Sequence, residues 1–304
     1  MNYKKIIKSQ SLRFTILNFL NWIPDCIMVR IQYRIKMDRW PDLSHPTRFS
    51  EKLQLYKLKY RNPVIQQCVD KYEVRKHVES KGLGDILNEL YGIYDTPAEI
   101  NFDVLQDRFV IKTTSGGGGN NVIVVKDKSV CDYDKIRSAI ATWFKDDSGQ
   151  INAGREWAYR GIKKTRIIIE KYLEDIDPNL DGQSHNESLT DYKFFCFDGK
   201  AYCVQVDSGR FDDHRQNFYD MDWKSLGVHC TYPEGDGVEK PHNFERMIRI
   251  AEQLSSEFPF VRVDLYNVNG AIYFGELTFY PSSGYGRFHP DSFDIELGKL
   301  FTEY

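Results

Sequence analysis

No cysteine pattern typical of a metal site, no basic excess and no long apolar run occurs in this chain, and each absence removes a class of protein. Its six cysteines (Cys26, Cys68, Cys131, Cys196, Cys203, Cys230) are scattered, with no CxxC pair and no histidine at zinc-ligand spacing. That excludes a disulfide framework or structural zinc and fits a reducing cytoplasm. The formal charge of −3 excludes the broad basic footprint of a nucleic-acid binder. The longest apolar segment, around Phe14 to Pro24, is interrupted by asparagine and is too short to span a bilayer. No secretory leader with a small-residue cleavage site is read, and there is no internal repeat or low-complexity tract. A cytoplasmic protein is expected, at most peripheral on a membrane.

What is present suffices for a large core: 304 residues, 41% hydrophobic and 14% aromatic. Charge is uneven. Residues 1–39 carry eight basic and two acidic side chains, a net of +6, which leaves −9 on the remainder. Residues 12–37 read as two helices broken at Pro24, and Ser50 as the N-cap of a third. Asp70-x-x-Glu73 is a capping box that puts Lys71 in the first turn of a helix ending at Gly82. Beyond residue 100 the texture changes. Strands are predicted at Phe109–Lys112, Val122–Val125 and Thr165–Lys171, with a helix over Asp134–Lys145. From Asp191 strands dominate (DYKFFCF, AYCVQVD, VRVDLYN, AIYFGEL), with an amphipathic helix at His242–Phe258.

The least ordinary stretch is VIKTTSGGGGNNVIVV, residues 110–125. A P-loop or a Rossmann fingerprint requires a helix after the glycines; here a strand follows. The motif is therefore a glycine-rich hairpin, either a surface connector or a loop whose bare N–H groups wrap phosphate oxygens. In the second reading Ser115, Gly116, Gly117, Gly118 and Gly119 form the wrap and Lys112 adds a charge. Two further features bear on the choice. Strand IIIEK runs into Glu170, Lys171, Tyr172 and Leu173, a strand-to-loop hinge able to offer backbone groups to an adenine edge, with Asp177 available to ribose. Near the C-terminus, Asp264 and Glu276 lie on a hairpin with Arg262 and Thr278. Two carboxylates converging on one sheet face suit a hard cation; the plain alternative is a pair of solvated strand acids.

In this order and spacing, the residues resemble the ATP-grasp superfamily of carboxylate–amine ligases. Asp70-Lys71 matches its early lysine, VIKTTSGGGG its phosphate loop, IIIEKYLE its adenine hinge and RVDLYNVNGAIYFGELTFYP its metal hairpin. The run PTRFSEKL from Pro46, with DKYEVRKHV and DYKFFCFDGK, is similar to the TupA-like branch, associated with surface-polysaccharide synthesis. The resemblance implies an α+β ATP-grasp fold: two α+β subdomains, about 70–173 and 174–304, clasping ATP behind a helical region at 1–69. Many better-known ligases carry a leading Rossmann-like domain, whereas the first 60 residues here read as helices. Thr278 also stands where many members carry a metal-binding asparagine.

The implied reaction joins a carboxylate to an amine through an acyl phosphate, with ATP and Mg²⁺. Lys71 and Lys112 would hold phosphates, Asp264, Glu276 and Thr278 the metal, and Arg262 and Lys193 the transferring group. Arg210, His214, Ser283, Gly284, Arg287 and His289 are candidates for substrate. The branch implies a uronic-acid saccharide and a small amine or amino acid as partners. The basic, apolar helices of residues 1–39 suit either peripheral contact with an anionic membrane or packing on the catalytic body. A phosphotransferase on a saccharide and a non-catalytic nucleotide-binding scaffold are the alternatives.

One geometric expectation follows from strand parity. A two-residue Asn269-Gly270 turn would put Asp264 and Glu276 on opposite faces. A shared metal site therefore predicts a three-residue loop, Val268-Asn269-Gly270, with a bulge at Gly270.

Overall fold

The computed structural model describes residues 10–116, 121–162, 164–174, 189–209 and 213–302. Five helices lead: α1 (Gln10–Phe19), α2 (Asp25–Met37), α3 (Phe49–Lys59), α4 (Pro63–Cys68) and α5 (Val74–Ser80). A four-stranded antiparallel sheet follows, in the order β1-β4-β2-β3, from β1 (Leu90–Tyr94), β2 (Phe109–Thr113), β3 (Val122–Val125) and β4 (Ile167–Lys171). Helix α6 (Tyr133–Ala153) and the short α7 (Trp157–Arg160) lie between β3 and β4. The apolar face of this sheet (Phe109, Ile111, Ile167, Ile169) packs with Ile140 of α6 into a core of its own.

The second sheet has five antiparallel strands in the order β7-β6-β5-β8-β9: β5 (Asp191–Phe197), β6 (Lys200–Ser208), β7 (Arg215–Asp220), β8 (Phe260–Val268) and β9 (Ala271–Thr278). One face is mostly apolar, interrupted by Asn217 and Asn267. Helix α8 (Phe244–Ser255) covers it with Phe244, Met247, Ile250 and Leu254 against Phe194, Val204 and Val263. The other face is divided. Toward one end Phe195, Phe197 and Phe260 surround Phe49 of α3, with ring centroids 4.8 to 6.2 Å apart. Beyond them the same face turns polar.

Helix α3 is therefore part of this core, although the sequence reading placed it in a separate helical region ending at residue 69. Its N-cap also differs from expectation. Arg48 is the cap, and Ser50 lies inside the helix. The Ser50 N–H and hydroxyl both donate to Asp294, at 2.8 and 2.6 Å. A carboxylate on α9 (Ser292–Leu300) thus satisfies the helix start that Ser50 was expected to cap. Glu51 accepts from the Thr47 and Arg48 N–H groups and completes the end. Strands β1 and β7 escaped the sequence reading: LYGIY and RQNFYD show little alternation of apolar and polar residues.

The hairpin at the C-terminus departs from the predicted three-residue loop. Val268 pairs with Ala271, so the turn is the two-residue Asn269-Gly270, both with positive φ (51° and 80°) as a type I′ turn requires. Parity is restored further along the strand. The register shifts between Asp264 and Leu265: Leu265 faces Phe274, Asp264 faces Glu276, and Gly275 is the extra residue. The carboxylates still share a face, because a bulge rather than the loop supplies the odd residue. Glycine fits there because a Cβ would sit 2.9 Å from the Asp264 carbonyl oxygen.

Gly275→Ala should therefore destabilise the fold by about 1–3 kcal/mol, read from the midpoint of chemical unfolding. An unchanged midpoint would show that the bulge takes a side chain without strain.

Candidate active site

The polar half of the five-stranded sheet is built by strand alternation. Cross-strand partners Gln205, Lys193, Asp264 and Glu276 form one row over four neighbouring strands. Two residues to one side of this row stand Asp191 and Asp207, and two residues to the other side Arg262 and Thr278, all on the same face. Lys193 Nζ binds Asp207 at 2.5 Å and Asp191 at 3.1 Å. Gln205 and Gln216 each donate to Asp207, at 3.0 and 2.9 Å. His214 Nε2 lies 3.8 Å from the Asp207 carboxylate, its ring stacked on Tyr232. Arg262 donates to both Asp264 oxygens, Nε at 2.7 Å and Nη2 at 2.6 Å, and to the Thr278 hydroxyl at 3.2 Å. Thr278 in turn donates to Glu276 at 3.0 Å.

Asp264 is buried and its pKa is raised to about 7. Desolvation is the largest cause, opposed by Arg262 and reinforced by the neighbouring Glu276 charge. For Glu276 burial also favours the neutral acid, but Arg262 and Lys71 outweigh it and its pKa is lowered. Arg262 and Lys71 thus hold Glu276 as the carboxylate, while burial works against the charge on Asp264. Among the described residues no three His, Cys, Asp or Glu side chains cluster tightly enough to hold a metal alone. Two carboxylates and a hydroxyl are nonetheless the donor set that suits Mg²⁺, which commonly binds one or two carboxylates and completes its shell with phosphate and water. Thr278 already donates to Glu276 and accepts from Arg262, which leaves it the weakest of the three donors.

Lys71 reaches the same place from the other side. The turn at residues 70–73 is held by Asp70, which accepts from the Tyr72 and Glu73 N–H groups at 2.9 Å. Helix α5 begins only at Val74, so the expected first turn is a separate turn, and Glu73 bonds Arg166 instead of returning to Asp70. The Lys71 N–H donates to the Thr114 carbonyl and its ammonium to that of Gly116. Lys71, Gly116, Gly275 and Glu276 line one cavity of about 20 Å³. The early lysine, the start of the glycine loop and the acidic hairpin, up to 205 residues apart in sequence, meet there.

Lys112 sits on the small sheet and pairs with Glu170 at 2.6 Å; Arg75, not anticipated from sequence, approaches Glu170 from the other side at 3.5 Å. The Lys171 N–H donates to Glu89 and its carbonyl accepts from Asn88. Tyr172 lies under Arg108, and Leu173 follows, half-buried. Ser115 bonds the Thr165 hydroxyl at 2.7 Å. Gly117, Gly118, Gly119, Asp177 and Arg210 lie outside the described residues.

The remaining candidates are engaged elsewhere. Arg287 binds the Lys36 carbonyl and Asp38 at the end of α2. His289 forms a backbone bridge and a ring stack with His229. Ser283 and Gly284 belong to a group that sequence reasoning missed. The buried Lys57 of α3 donates to the carbonyls of Ser283 (2.8 Å) and Gly154 (3.1 Å). The Ser283 hydroxyl donates to Glu156 at 2.5 Å, and Gln54 holds the Gly284 carbonyl at 2.8 Å. Ser282 and Ser283 both have positive φ, near 50° and 56°. The turn after the acidic hairpin is thus held in an unfavourable backbone conformation by buried side chains. Desolvation drives the Lys57 pKa down to about 7 against the pull of Glu156, and drives that of Glu156 up. A helical lysine four residues before a break carries no mark of such burial in sequence.

The family model described as TupA-like ATPgrasp matches residues 51–302, and the chain belongs to that family. No curated protein matches it in sequence. Among solved structures, D-alanine–D-alanine ligase from Bacillus anthracis is similar at 21% identity and a TM-score of 0.43, over 70% of this chain and 57% of that one. The same enzyme from Helicobacter pylori gives 14% and 0.41, over 77% and 61%. L-amino acid ligase from Bacillus licheniformis gives 14% and 0.43, over 77% and 49%. This chain spans about half to three-fifths of their lengths, and likenesses this distant do not extend to activity.

Lys57→Met should destabilise the protein by about 1–3 kcal/mol, because it removes the buried donor to the Ser283 and Gly154 carbonyls and the charge that acts on Glu156. Adding Glu156→Gln should recover part of that loss in a double-mutant cycle. Additive losses would show that the two groups do not act as a pair.

Proposed function

We propose that the protein is an ATP-dependent carboxylate–amine ligase. The observation that carries this reading is the cavity where Lys71, Gly116 and Glu276 meet beside Arg262 and Asp264. A phosphate chain laid there would have an ammonium, a glycine backbone and a carboxylate pair around it, the combination that phosphoryl transfer asks of a protein.

In the first step the oxygen of a substrate carboxylate attacks the γ-phosphorus of ATP. The bond to the β,γ-bridging oxygen breaks, giving an acyl phosphate and ADP. In the second an amine attacks the acyl carbon, phosphate leaves, and the amine gives up a proton to yield the amide. Lys71 and Lys112 bind phosphates, and Lys112 is aimed by Glu170. The backbone of Lys171 is already engaged, so the adenine edge is read at Tyr172 and Leu173, with Asp177 toward the ribose. Mg²⁺ bound to Asp264 and Glu276, with Thr278 as a weaker donor, would neutralise the triphosphate. Arg262 faces the transferring group, and Lys193 extends the cationic face beside it. His214 and the Ser283–Gly284 turn border the acceptor side, to which Arg210 is also assigned. Arg287 and His289 act there only through the segment that carries them.

The substrate reading rests on the TupA-like branch: a uronic-acid carboxylate of a capsule or other surface-polysaccharide precursor, joined to an amino acid or small amine. The reaction belongs in the cytoplasm, where ATP is supplied, with a lipid-linked acceptor at the inner face of the membrane.

Mg-ATP should raise the melting temperature in a saturable way. Lys71→Ala and Lys112→Ala should each weaken ATP binding about tenfold, by losing a charge-assisted contact. With uronic acids and amines supplied, ADP, phosphate and amide should form in equal amounts, and hydroxylamine should trap a hydroxamate. A stable phosphorylated product without amine would replace the ligase by a phosphotransferase; ATP binding without turnover would favour a scaffold.

A further inference from the structure

Twelve large hydrophobic side chains are exposed among the described residues, and seven of them lie between residues 12 and 40, so the apolar surface is concentrated at one end of the chain. They form two stripes. On α1, Leu12, Ile16 and Phe19 recur at helical spacing, and Trp22 continues the stripe into the turn. On α2, Ile27 and Ile35 flank the partly exposed Ile31, and Trp40 follows the helix. Helix α2 is two-sided. Met28, Val29, Tyr33 and Met37 face the body, while Ile27, Ile31 and Ile35 face outward among the exposed Arg30 and Arg34. Phe19 is 79% exposed, Trp22 77% and Trp40 64%, values that a side chain packed for the fold would not show.

The turn that presents Trp22 is held in place. The buried Arg155 donates to the carbonyls of Leu20 and Ile23 at 2.8 and 2.9 Å and to Asp25 at 3.0 Å; Arg160 binds the same carboxylate. The surface is built before any partner arrives.

We propose that this face docks on an anionic phospholipid surface. Exposed aromatics beside arginines on helices too short to cross a bilayer are the composition of an interfacial anchor, and no described helix is long and apolar enough to cross. Charge selects lipid over a second copy. An isologous dimer through this face would set the exposed Arg30 and Arg34 against their own copies. A head-to-tail contact would need an apolar acceptor on the acidic body, whose exposed large hydrophobics among the described residues are four valines, two of them neighbours on β3, and one tyrosine. The body's −9 also orients the molecule, because only the basic end is drawn to an anionic surface. The inference adds a residue-level surface to the membrane setting of the proposed function. Its test reads binding alone, so it stands or falls apart from catalysis.

The experiment is vesicle flotation of the full chain, with phosphatidylcholine alone and with phosphatidylcholine mixed with phosphatidylglycerol. The protein should float with the mixed vesicles and sink with the neutral ones, and added salt should release it. Phe19→Ser with Trp22→Ser should reduce the bound fraction about tenfold, and Arg30→Gln with Arg34→Gln by a similar factor. All four side chains are exposed, so both variants should melt like the wild type. Failure of the wild type to float on anionic vesicles overturns the proposal. So does undiminished flotation of either variant, or light scattering that shows a dimer broken by the Phe19 and Trp22 changes.

Discussion

Everything in the candidate site depends on keeping charges on a sheet face that the fold partly dries. Asp191, Asp207 and Asp264 are buried beside Lys193, and Arg262 spans Asp264 and Thr278. Removing such groups from water costs several kcal/mol each, and ion pairing with complete hydrogen bonding is what offsets it. The strands therefore cannot slip: a shift of one residue would turn every charge into the apolar core beneath α8. The charged array of the candidate site and the register lock are here the same set of side chains. The exception is Asp264, whose pKa burial raises despite the Arg262 guanidinium, so that its desolvation is the least well offset of the three.

Much of this was legible in the sequence because it follows from alternation. DYKFFCF and AYCVQVD declare strands, and once they pair, Lys193, Gln205 and Asp207 must share a face. The glycine hairpin and the acidic hairpin announced themselves by composition. The missed parts depend on distance. Nothing near Ser50 reveals that Asp294, 244 residues away, accepts from it. Nor does FSEKLQLYKLK distinguish Lys57, which is buried, from Lys59, which is exposed.

The hairpin shows how local and global signals divide the work. Asn-Gly is a strong two-residue turn signal, and it prevailed. The requirement that the two carboxylates share a face is a tertiary constraint, and it was met at Gly275, where the missing Cβ lets the strand bulge against the Asp264 carbonyl. Parity arguments count residues correctly only if every position that could add one is considered, and an in-strand glycine is such a position.

The turn at residues 70–73 joins these pieces into one site. Its geometry comes from Asp70, which holds two successive N–H groups, and its side is fixed by Arg166, which binds Glu73 at 2.6 Å and stacks over Tyr72. Arg166 immediately precedes β4 of the small sheet, while Glu276 of the large sheet lines the cavity that Lys71 enters. Lys71 thus touches the glycine loop through Thr114 and Gly116 on one side and lowers the Glu276 pKa on the other. A lysine free in solution gains little from either contact. Held by a turn that Thr114 and Arg166 fix from the side of the small sheet, it becomes the point at which charge on one wall is felt by the other. That is why the lysine follows the turn-forming aspartate directly: the carboxylate that shapes the backbone also sets where the ammonium can reach.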